Sequence, residues 1–472
     1  MKKTETDFFL SGFLTLDFWR KFFMETEYPA IVAVLVLFGN LTSLDYYVNF
    51  IITGLFVFAM LISDSIRPAI ITLCTYIYQI SIPHAPGYPT YSDFLFSEWR
   101  RPVSVIIIFA VFFAFLAFFI RKKIYKSLTK EKTPFFFPLI VFSVSLMMNG
   151  AFSGNWTYKN LIFAFLNTLV YFFLFIVLYH GFSEKEKSKE LVEYFCYISL
   201  LISAVIICEM LHLFIGVEDI FSDGQIVKDK VALGWGIWNI IGTSLAVLIP
   251  VLFYGAMTAK RHYVYFVFAT LSYAFCVLSM SRNALVFSTL AYFSCILIAC
   301  FFGNHKKLYR IITLVGAAIF LIFALIFLGK IKVLLSDYFE RGFSDNGRYE
   351  LWRLAIETFK ESPVFGNGFY GFFTDAVFEY SAFPRMAHNT VFQLLSAMGI
   401  LGLLSYAWYR IETASVFFSR PSLNKTMLGM SILVFLFGSL LDNFVFNIHP
   451  PIYYTVALAI VCRTHLEENN KS

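Results

Sequence analysis

Residues 347–402 read GRYELWRLAIETFKESPVFGNGFYGFFTDAVFEYSAFPRMAHNTVFQLLSAMGILG, and they contain the longest polar interval in an otherwise almost continuously apolar chain. A turn at 345–347 and a proline at Pro363 bound a predicted amphipathic helix from Arg348 to Ser362. A new apolar run begins where the polar interval ends. We therefore expect the polar chemistry of the protein in this stretch.

Arg348 is unusual within this helix because it lies on the apolar side, three residues before Leu351 and four before Trp352. A buried guanidinium is costly unless an anion or a hydrogen-bond network satisfies it. Two explanations fit the spacing. Arg348 binds an anionic ligand, or it pairs with a nearby carboxylate or caps neighbouring carbonyl groups.

The composition of the chain indicates a membrane protein. The 472 residues are 59% hydrophobic, 20% aromatic and 14% charged, and long apolar runs recur from end to end. We predict an all-α polytopic membrane protein with about 14 transmembrane helices and one long extracytoplasmic loop at 329–388. The predicted spans are 29–44, 48–64, 68–82, 102–121, 135–149, 160–180, 191–215, 234–258, 263–280, 285–302, 311–328, 389–409, 426–443 and 451–463.

The distribution of lysine and arginine predicts the orientation. With the N-terminus inside, 24 of the 37 Lys and Arg residues fall on the cytoplasmic side, including 3 at 410–425, and 7 of the remaining 13 lie in the 329–388 loop. The positive-inside rule then makes 1–28 and 464–472 cytoplasmic and 29–463 the membrane domain. No cleaved signal peptide is expected, because the first 28 residues lack an apolar core ending in a small-residue cleavage site.

Two polar features interrupt the apolar runs on the predicted outer side. Arg282, in the SRNA sequence at 281–284, either binds a phosphate bidentately or snorkels to lipid headgroups. His388 and Asn389 stand at the start of a span. A histidine there is either a general base or a cap and packing residue.

Glu209 is a further polar residue near the outer end of a span, and His212 three residues later gives the spacing of a local helical pair. The outer loops lack metal-binding, nucleophile-elbow and phosphate-loop motifs, and the seven cysteines show no metal-ligand spacing. The predicted cytoplasmic loops are too short for a nucleotide-binding domain. A proton-coupled carrier requires ionisable residues at mid-bilayer, and few lie there in the predicted spans. The pattern favours a metal-independent transfer on the outer face, with no cofactor and no nucleic-acid partner.

Five motifs, in this order, resemble the O-antigen ligase and O-antigen polymerase superfamily. They are SRxA at 281–284, RxxxW at 348–352, PxxGxG at 363–368, HN at 388–389 and MGILG at 398–402. The resemblance is specific over a ligase-like core at about 281–404, and the remainder matches only as a stack of apolar spans. One departure is Met398, where such proteins often carry a glutamate.

The resemblance implies a fold of the membrane glycosyltransferase C type in the bacterial cytoplasmic (inner) membrane, with an extracytoplasmic active site. Its substrates would be a polyprenyl-diphosphate-linked oligosaccharide donor and a glycan acceptor, reached among membrane lipids. Arg282 and Arg348 would bind the donor diphosphate, and His388 would take the proton of the acceptor. The supporting candidates are Asn389, Trp352 and Glu209.

Three functions are compatible with these patterns. The protein is a polymerase that joins repeat units of an O-antigen, capsule or exopolysaccharide, a ligase that moves a finished glycan onto lipid A core or another acceptor, or a transporter or flippase of lipid-linked glycans. An enzyme is favoured because every candidate residue clusters on one face, whereas a transporter needs access from both. The 329–388 loop has 7 basic and 8 acidic residues, a balance that favours polymerisation over transfer to phosphorylated lipid A core. Aromatic residues at 88–99 and 365–383 either line a glycan groove or anchor the chain at the interface.

Overall fold

The computed structural model describes residues 15–42, 44–79, 100–129, 132–217, 220–222, 225–233, 235–326, 347–371, 386–446 and 449–469. Most of these residues form α-helices, which confirms the predicted helical fold class. The helices are α1 Leu16–Met24, α2 Glu27–Thr42, α3 Asp45–Ile62, α4 Ala69–Gln79, α5 Arg100–Arg121, α6 Phe136–Met147, α7 Tyr158–Thr168, α8 Phe175–Gly181, α9 Ser188–Gly216, α10 Trp238–Thr258, α11 His262–Leu278, α12 Arg282–Phe301, α13 Lys306–Ile326, α14 Arg348–Glu361, α15 Thr390–Phe418, α16 Leu423–Leu441 and α17 His449–Asn469. The strands β1 Phe221–Ser222 and β2 Gln225–Ile226 form one antiparallel hairpin, and β3 Ala232–Leu233 and β4 Gly236–Ile237 form another.

Each predicted span overlaps a helix, but the count of about 14 spans is not confirmed. Six described helical segments are long and apolar enough to cross a membrane, and the bent pair α1 and α2 would be a seventh. These six are Tyr158–Gly181, Ser188–Gly216, Trp238–Thr258, Arg282–Phe301, Thr390–Phe418 and Leu423–Leu441. Short helices account for part of the difference: α4 has 11 residues and α6 has 12. At a rise of ~1.5 Å per residue, neither reaches across a hydrocarbon core of ~30 Å.

Helix α10 lies at the centre of the bundle. Its sequence is apolar on every side, and the whole of its membrane-length segment is buried within the protein. Glycine permits the close packing that this position requires. A Cβ added at Gly242 would fall 2.6 Å from both the Ala284 Cβ and the Ser279 Oγ. The absence of a side chain there lets the start of α12 lie directly against α10.

The helices connect two ends of the bundle, which we name after one residue in each. The His388 end contains the described residues of 220–237, together with 279–283, 347–371, 386–390 and 438–446. The Glu467 end contains 62–67, 121–129, 132–133, 181–188, 302–305, 419–425 and 463–469. Hydrogen bonds join distant segments within each end, such as Asn283 Nδ2 to Gly438 O at 2.9 Å and Ser188 N to Glu467 Oε1 at 2.7 Å. Helix α1 also lies at the Glu467 end, where the Arg20 Nε donates to Ile62 O at 3.1 Å.

Helix α15 is broken at Gly399, which has φ 64° and ψ −161°. This conformation is essentially restricted to glycine, and a Cβ there would collide with the backbone of Val364. The break frees backbone groups that α-helical hydrogen bonds would otherwise satisfy. The PxxGxG turn supplies their partners through four hydrogen bonds: Asn367 N to Ser396 O at 2.8 Å, Gly368 N to Ala397 O at 3.0 Å, Ile400 N to Pro363 O at 2.9 Å and Leu401 N to Val364 O at 3.4 Å. The PxxGxG and MGILG motifs thus pack against each other through their backbones.

The same turn is fixed on its other side by two asparagines. Phe369 N donates to the Asn149 Oδ1 at 3.3 Å, and Tyr370 N donates to the Asn160 Oδ1 at 3.0 Å. Both asparagine side chains are buried. The predicted helix before the turn is confirmed, since α14 ends at Glu361, just before Pro363.

Arg410 lies inside the bundle, although the charge count assigns it to the cytoplasmic side. Its guanidinium stands over four tyrosine rings at 4.5–5.9 Å from their centroids, those of Tyr171, Tyr406, Tyr409 and Tyr454. Among the described residues, none accepts a hydrogen bond from its three side-chain nitrogens. Cation–π attraction is therefore what stabilises this charge. Without Arg410, the number of Lys and Arg residues assigned to the cytoplasmic side falls from 24 to 23, and the predicted orientation is unchanged.

Candidate functional site

His388 stands immediately before α15 and has a left-handed backbone, with φ 51°. Its Nδ1 lies 2.9 Å from the Asp442 Oδ1, and its side chain is 43% exposed. Because an ionised carboxylate only accepts hydrogen bonds, Nδ1 donates and the neutral ring keeps its lone pair on Nε2. A partly exposed imidazole oriented in this way is suited to accept a proton from a ligand.

Asn389 caps the helix that His388 precedes. Its Oδ1 accepts from Val391 N at 2.8 Å and from Phe392 N at 3.2 Å. Its Nδ2 donates to Leu440 O at 2.8 Å, which joins the start of α15 to the end of α16. The structure therefore gives Asn389 a capping position beside His388.

Asp442 ends α16 and collects three hydrogen bonds. They come from the His388 Nδ1, from the Asn443 backbone N–H at 2.9 Å and from the Asn239 Nδ2 at 3.1 Å. Burial acts to raise the pKa of Asp442, but the hydrogen bond and charge of His388, the Asn443 N–H and the charge of Arg348 together hold that pKa below its usual value. Asp442 is consequently a carboxylate at neutral pH, able to fix the ring of His388.

Arg282 is the first residue of α12 and is held between two anchored neighbours. Ser281 caps the helix and donates from its Oγ to the Asn239 Oδ1 at 2.9 Å. On the other side, the Asn283 Nδ2 donates to Gly438 O. Since Asn239 also donates to Asp442, a chain of hydrogen bonds runs from Ser281 through Asn239 and Asp442 to His388.

Arg282 and Arg348 both lie close enough to Lys228 to influence its charge. Burial lowers the pKa of Lys228, and the positive charges of Arg282 and then Arg348 lower it further, against an opposing effect of Asp229. The charge of Arg348 also acts on Asp442. We call these three cations, together with His388 and Asp442, the cationic site. Helices α12, α14, α15 and α16 each contribute to it or adjoin it, although its members are far apart in sequence.

Trp352 fixes the helix that carries Arg348. Its Nε1 donates to Ala387 O at 3.1 Å, next to His388, and its ring stacks on Phe392 with centroids 5.2 Å apart. Trp352 therefore holds α14 against the start of α15, which sets the position of Arg348 relative to His388.

Glu209 has partners other than the His212 that its spacing suggests. It is buried in α9, where its carboxylate accepts from the Asn40 Nδ2 at 2.5 Å and from the Trp235 Nε1 at 2.7 Å. It makes no direct contact with the cationic site among the hydrogen bonds of the described residues. Through Trp235 it anchors the segment 220–237, which contains Lys228.

Three residues of the site were not predicted from the sequence. Asp442 and Asn239 fall inside the predicted spans 426–443 and 234–258, whereas the structure ends α16 at Leu441 and places Asn239 in the first turn of α10. Lys228 lies in a short predicted outer loop with nothing in the sequence to connect it to Arg282. Asp442 could have been found as part of the Asp442-Asn443 pair, which separates two apolar runs on the same predicted side of the membrane as His388.

Part of the predicted aromatic groove and of the long loop lies outside the described residues, namely 88–99, 329–346 and 372–385. Within the described part, Phe369 is fully buried between Phe163 and Phe446, with ring centroids 4.7 and 4.9 Å away. Phe369 therefore belongs to the core and does not line a groove. Met398, at the position of the expected glutamate, is likewise buried in the core.

Comparison with protein families gives a match to part of the chain. Residues 265–407 match the family Wzy_C, described as O-Antigen ligase. The matched segment contains Arg282, Arg348, Trp352 and His388, and it confirms the resemblance seen in the five motifs. No curated protein matches the chain. The match supports transfer of a glycan from a lipid-linked donor to a glycan acceptor in general terms.

Proposed function

We propose that the protein, whose residues 265–407 match an O-antigen ligase family, transfers an oligosaccharide from a polyprenyl-diphosphate-linked donor to an acceptor hydroxyl. The observation that carries the proposal is the His388–Asp442 pair beside the two arginines Arg282 and Arg348. A base and a cluster of cations are the two groups that such a transfer requires.

In the proposed reaction, Asp442 holds the His388 Nδ1–H, and Nε2 takes the proton of the acceptor hydroxyl as its oxygen attacks the anomeric carbon. The new glycosidic bond forms while the bond from that carbon to the diphosphate oxygen breaks. The bonding electron pair leaves with the polyprenyl diphosphate. Arg282 and Arg348 stabilise the leaving group by bidentate hydrogen bonds in a site partly shielded from water. Fixed cations thus supply the charge that a metal ion would otherwise provide, and we propose a metal-independent mechanism.

Among the functions compatible with this chemistry, we propose polymerisation of repeat units of a surface polysaccharide. The near balance of 7 basic and 8 acidic residues at 329–388 supports it over ligation to lipid A core. Ligation of a finished glycan is the alternative. A transporter needs binding groups but no base, so the His388–Asp442 pair favours either enzyme over a flippase.

We also propose that the His388 end is extracytoplasmic in the bacterial inner membrane and that both termini are cytoplasmic. The support is the excess of lysine and arginine at the Glu467 end. Labelling of single cysteines tests this orientation. Cysteines in place of Lys126 and Lys306 are expected to react only when the inner face is accessible, and their reaction from outside would reverse it.

The function is tested with purified protein in liposomes and a polyprenyl-diphosphate-linked repeat unit. We expect formation of longer lipid-linked glycans and free polyprenyl diphosphate, unchanged in EDTA. Activity that disappears in EDTA and returns with a divalent ion would contradict the metal-independent mechanism.

Deletion in the native host distinguishes the two enzymes. A polymerase is supported if long chains disappear while single repeat units still reach their usual carrier. Full-length polymer that accumulates on its polyprenyl lipid would identify a ligase instead.

A further inference from the structure

Lys228 is a fixed cation that the reaction proposed above does not use. It begins a 3-10 turn, Lys228–Lys230, between the two hairpins of the segment 220–237. Its Nζ lies 4.7 Å from the centroid of the Trp238 ring, within the range of a cation–π contact. The segment itself is tied down by Val227 N to Ile220 O at 2.9 Å and by the bond from Trp235 to Glu209.

The contact with Trp238 brings Lys228 to the cationic site. Trp238 is the first residue of α10, and the next residue, Asn239, bonds both Ser281 and Asp442. Lys228 therefore contacts the residue next to Asn239. Asn239 in turn links Ser281, the neighbour of Arg282, to Asp442, the partner of His388. The electrostatic effects of Arg282 and Arg348 on Lys228 agree with this position.

Like charges that lie close together at partly buried positions repel one another, and a bound anion relieves that repulsion. Asp442 supplies one negative charge, but that carboxylate is also bonded to His388 and Asn239. A diphosphate is an anion with the charge and the number of oxygens to receive several cationic donors at once.

The charge on the donor changes during the transfer, and this change suggests a role for a third cation. A diphosphate that links a polyprenol to a sugar carries two negative charges. When the bond between the anomeric carbon and the phosphate oxygen breaks, the electron pair stays on that oxygen and a third negative charge develops. We propose that Lys228 is a third phosphate-binding residue, which stabilises the charge that develops on the leaving diphosphate. The proposal rests on the proposed function, because it concerns the same donor and the same site.

The test compares Lys228→Met with Lys230→Met, which removes the same charge two residues away in the same turn. Lys228→Met is expected to lower kcat by about 10²-fold, the usual effect of losing one donor to a developing charge, with the KM for donor changed less than about threefold. Lys230→Met is expected to behave like wild type, and Lys228→Arg is expected to restore part of the rate. Equal kcat in Lys228→Met and Lys230→Met would overturn the proposal.

A binding measurement keeps the test independent of turnover and of folding. The probe is polyprenyl monophosphate or diphosphate in liposomes, with thermal unfolding as a check that each variant is folded. Wild type is expected to bind the diphosphate more tightly than the monophosphate, and Lys228→Met is expected to lose most of that preference. If wild type shows this preference but transfers no glycan, the proposed function fails and the Lys228 site stands. If wild type transfers glycan and folded Lys228→Met keeps the full preference and rate, the Lys228 site fails alone.

Discussion

The two ends of the helical bundle hold their cations in different ways. At the Glu467 end, Lys425 is buried and its Nζ lies 2.6 Å from the Glu468 Oε2, and Arg463 donates to Ser183 O at 3.3 Å. At the His388 end, the charges of Arg282 and Arg348 act on Lys228, and the carboxylate of Asp442 is held by His388. Lys425 is neutralised by a carboxylate within the protein, and Arg463 is held by a backbone carbonyl. At the His388 end, the positive charges of Arg282 and Arg348 both reach Lys228, an arrangement that suits an anionic ligand.

Arg410 shows a third arrangement, since its guanidinium lies over four tyrosine rings. A buried arginine is therefore not by itself a sign of a ligand site. What distinguishes Arg282 and Arg348 is that both act on a further cation, Lys228, and that Arg348 also acts on the carboxylate that holds His388.

The largest effect is expected from His388→Ala. Loss of a positioned base typically costs ~10²–10⁴-fold in rate, so transfer should be nearly abolished while donor binding is retained. The matched control is His465→Ala at the Glu467 end, where the ring lies near Ser419 and Lys425. Initial rates of glycan transfer by the purified variants measure both. Equal losses in the two variants would mean that His388 acts through folding and not as a base.

A somewhat smaller loss, roughly 10²-fold, is expected from Arg282→Lys and from Arg348→Lys. Lysine keeps the charge but does not reproduce the two parallel hydrogen bonds of a guanidinium to a phosphate. Arg121→Lys is the control at the Glu467 end, because Arg121 donates to the carbonyls of Met60 and Ser63. Rates per folded molecule are compared. Full activity in both site variants would reduce these arginines to structural residues.

Lys425→Met is expected to change stability and not catalysis. It leaves Glu468 without its cation, at a cost of about 2 kcal/mol, since the carboxylate is partly exposed and retains some hydration. The midpoint of denaturant unfolding in detergent should fall, while the rate per folded molecule should equal that of wild type. A fall in that rate would show that the Glu467 end contributes to turnover.

The smallest effect is a pH dependence of stability from Asp442. The pKa of Asp442 is lower in the folded protein than in the unfolded chain. Its contribution is therefore fully present above the unfolded pKa of ~3.9 and is lost as the pH falls through the folded value. The difference in stability between wild type and Asp442→Asn should have its full size near pH 5 and shrink below about pH 4. A difference that stays constant below pH 4 would contradict a low pKa.

Much of the helical framework can be predicted from the sequence, because apolar runs determine where helices form. The number of true spans cannot, since α4 and α6 look like spans in hydropathy but are too short to cross a membrane. Arg282, Arg348 and His388 could be selected because each interrupts an apolar pattern. Lys228 and Asn239 could not, since their relation to the site depends on how α10 packs beside α12.

The break at Gly399 was also unpredictable from periodicity, because the apolar pattern continues on both sides of it. It has a consequence for how the chain is made. Backbone groups freed at 396–400 cannot remain unpaired in lipid, and their partners lie at 363–368, which are synthesised earlier. Residues 363–368 must therefore already lie beside the break before α15 can settle in the membrane. The order of synthesis therefore matches the order of assembly. In a circular permutant that places the turn after α15, the broken helix would enter the membrane before residues 363–368 had been synthesised.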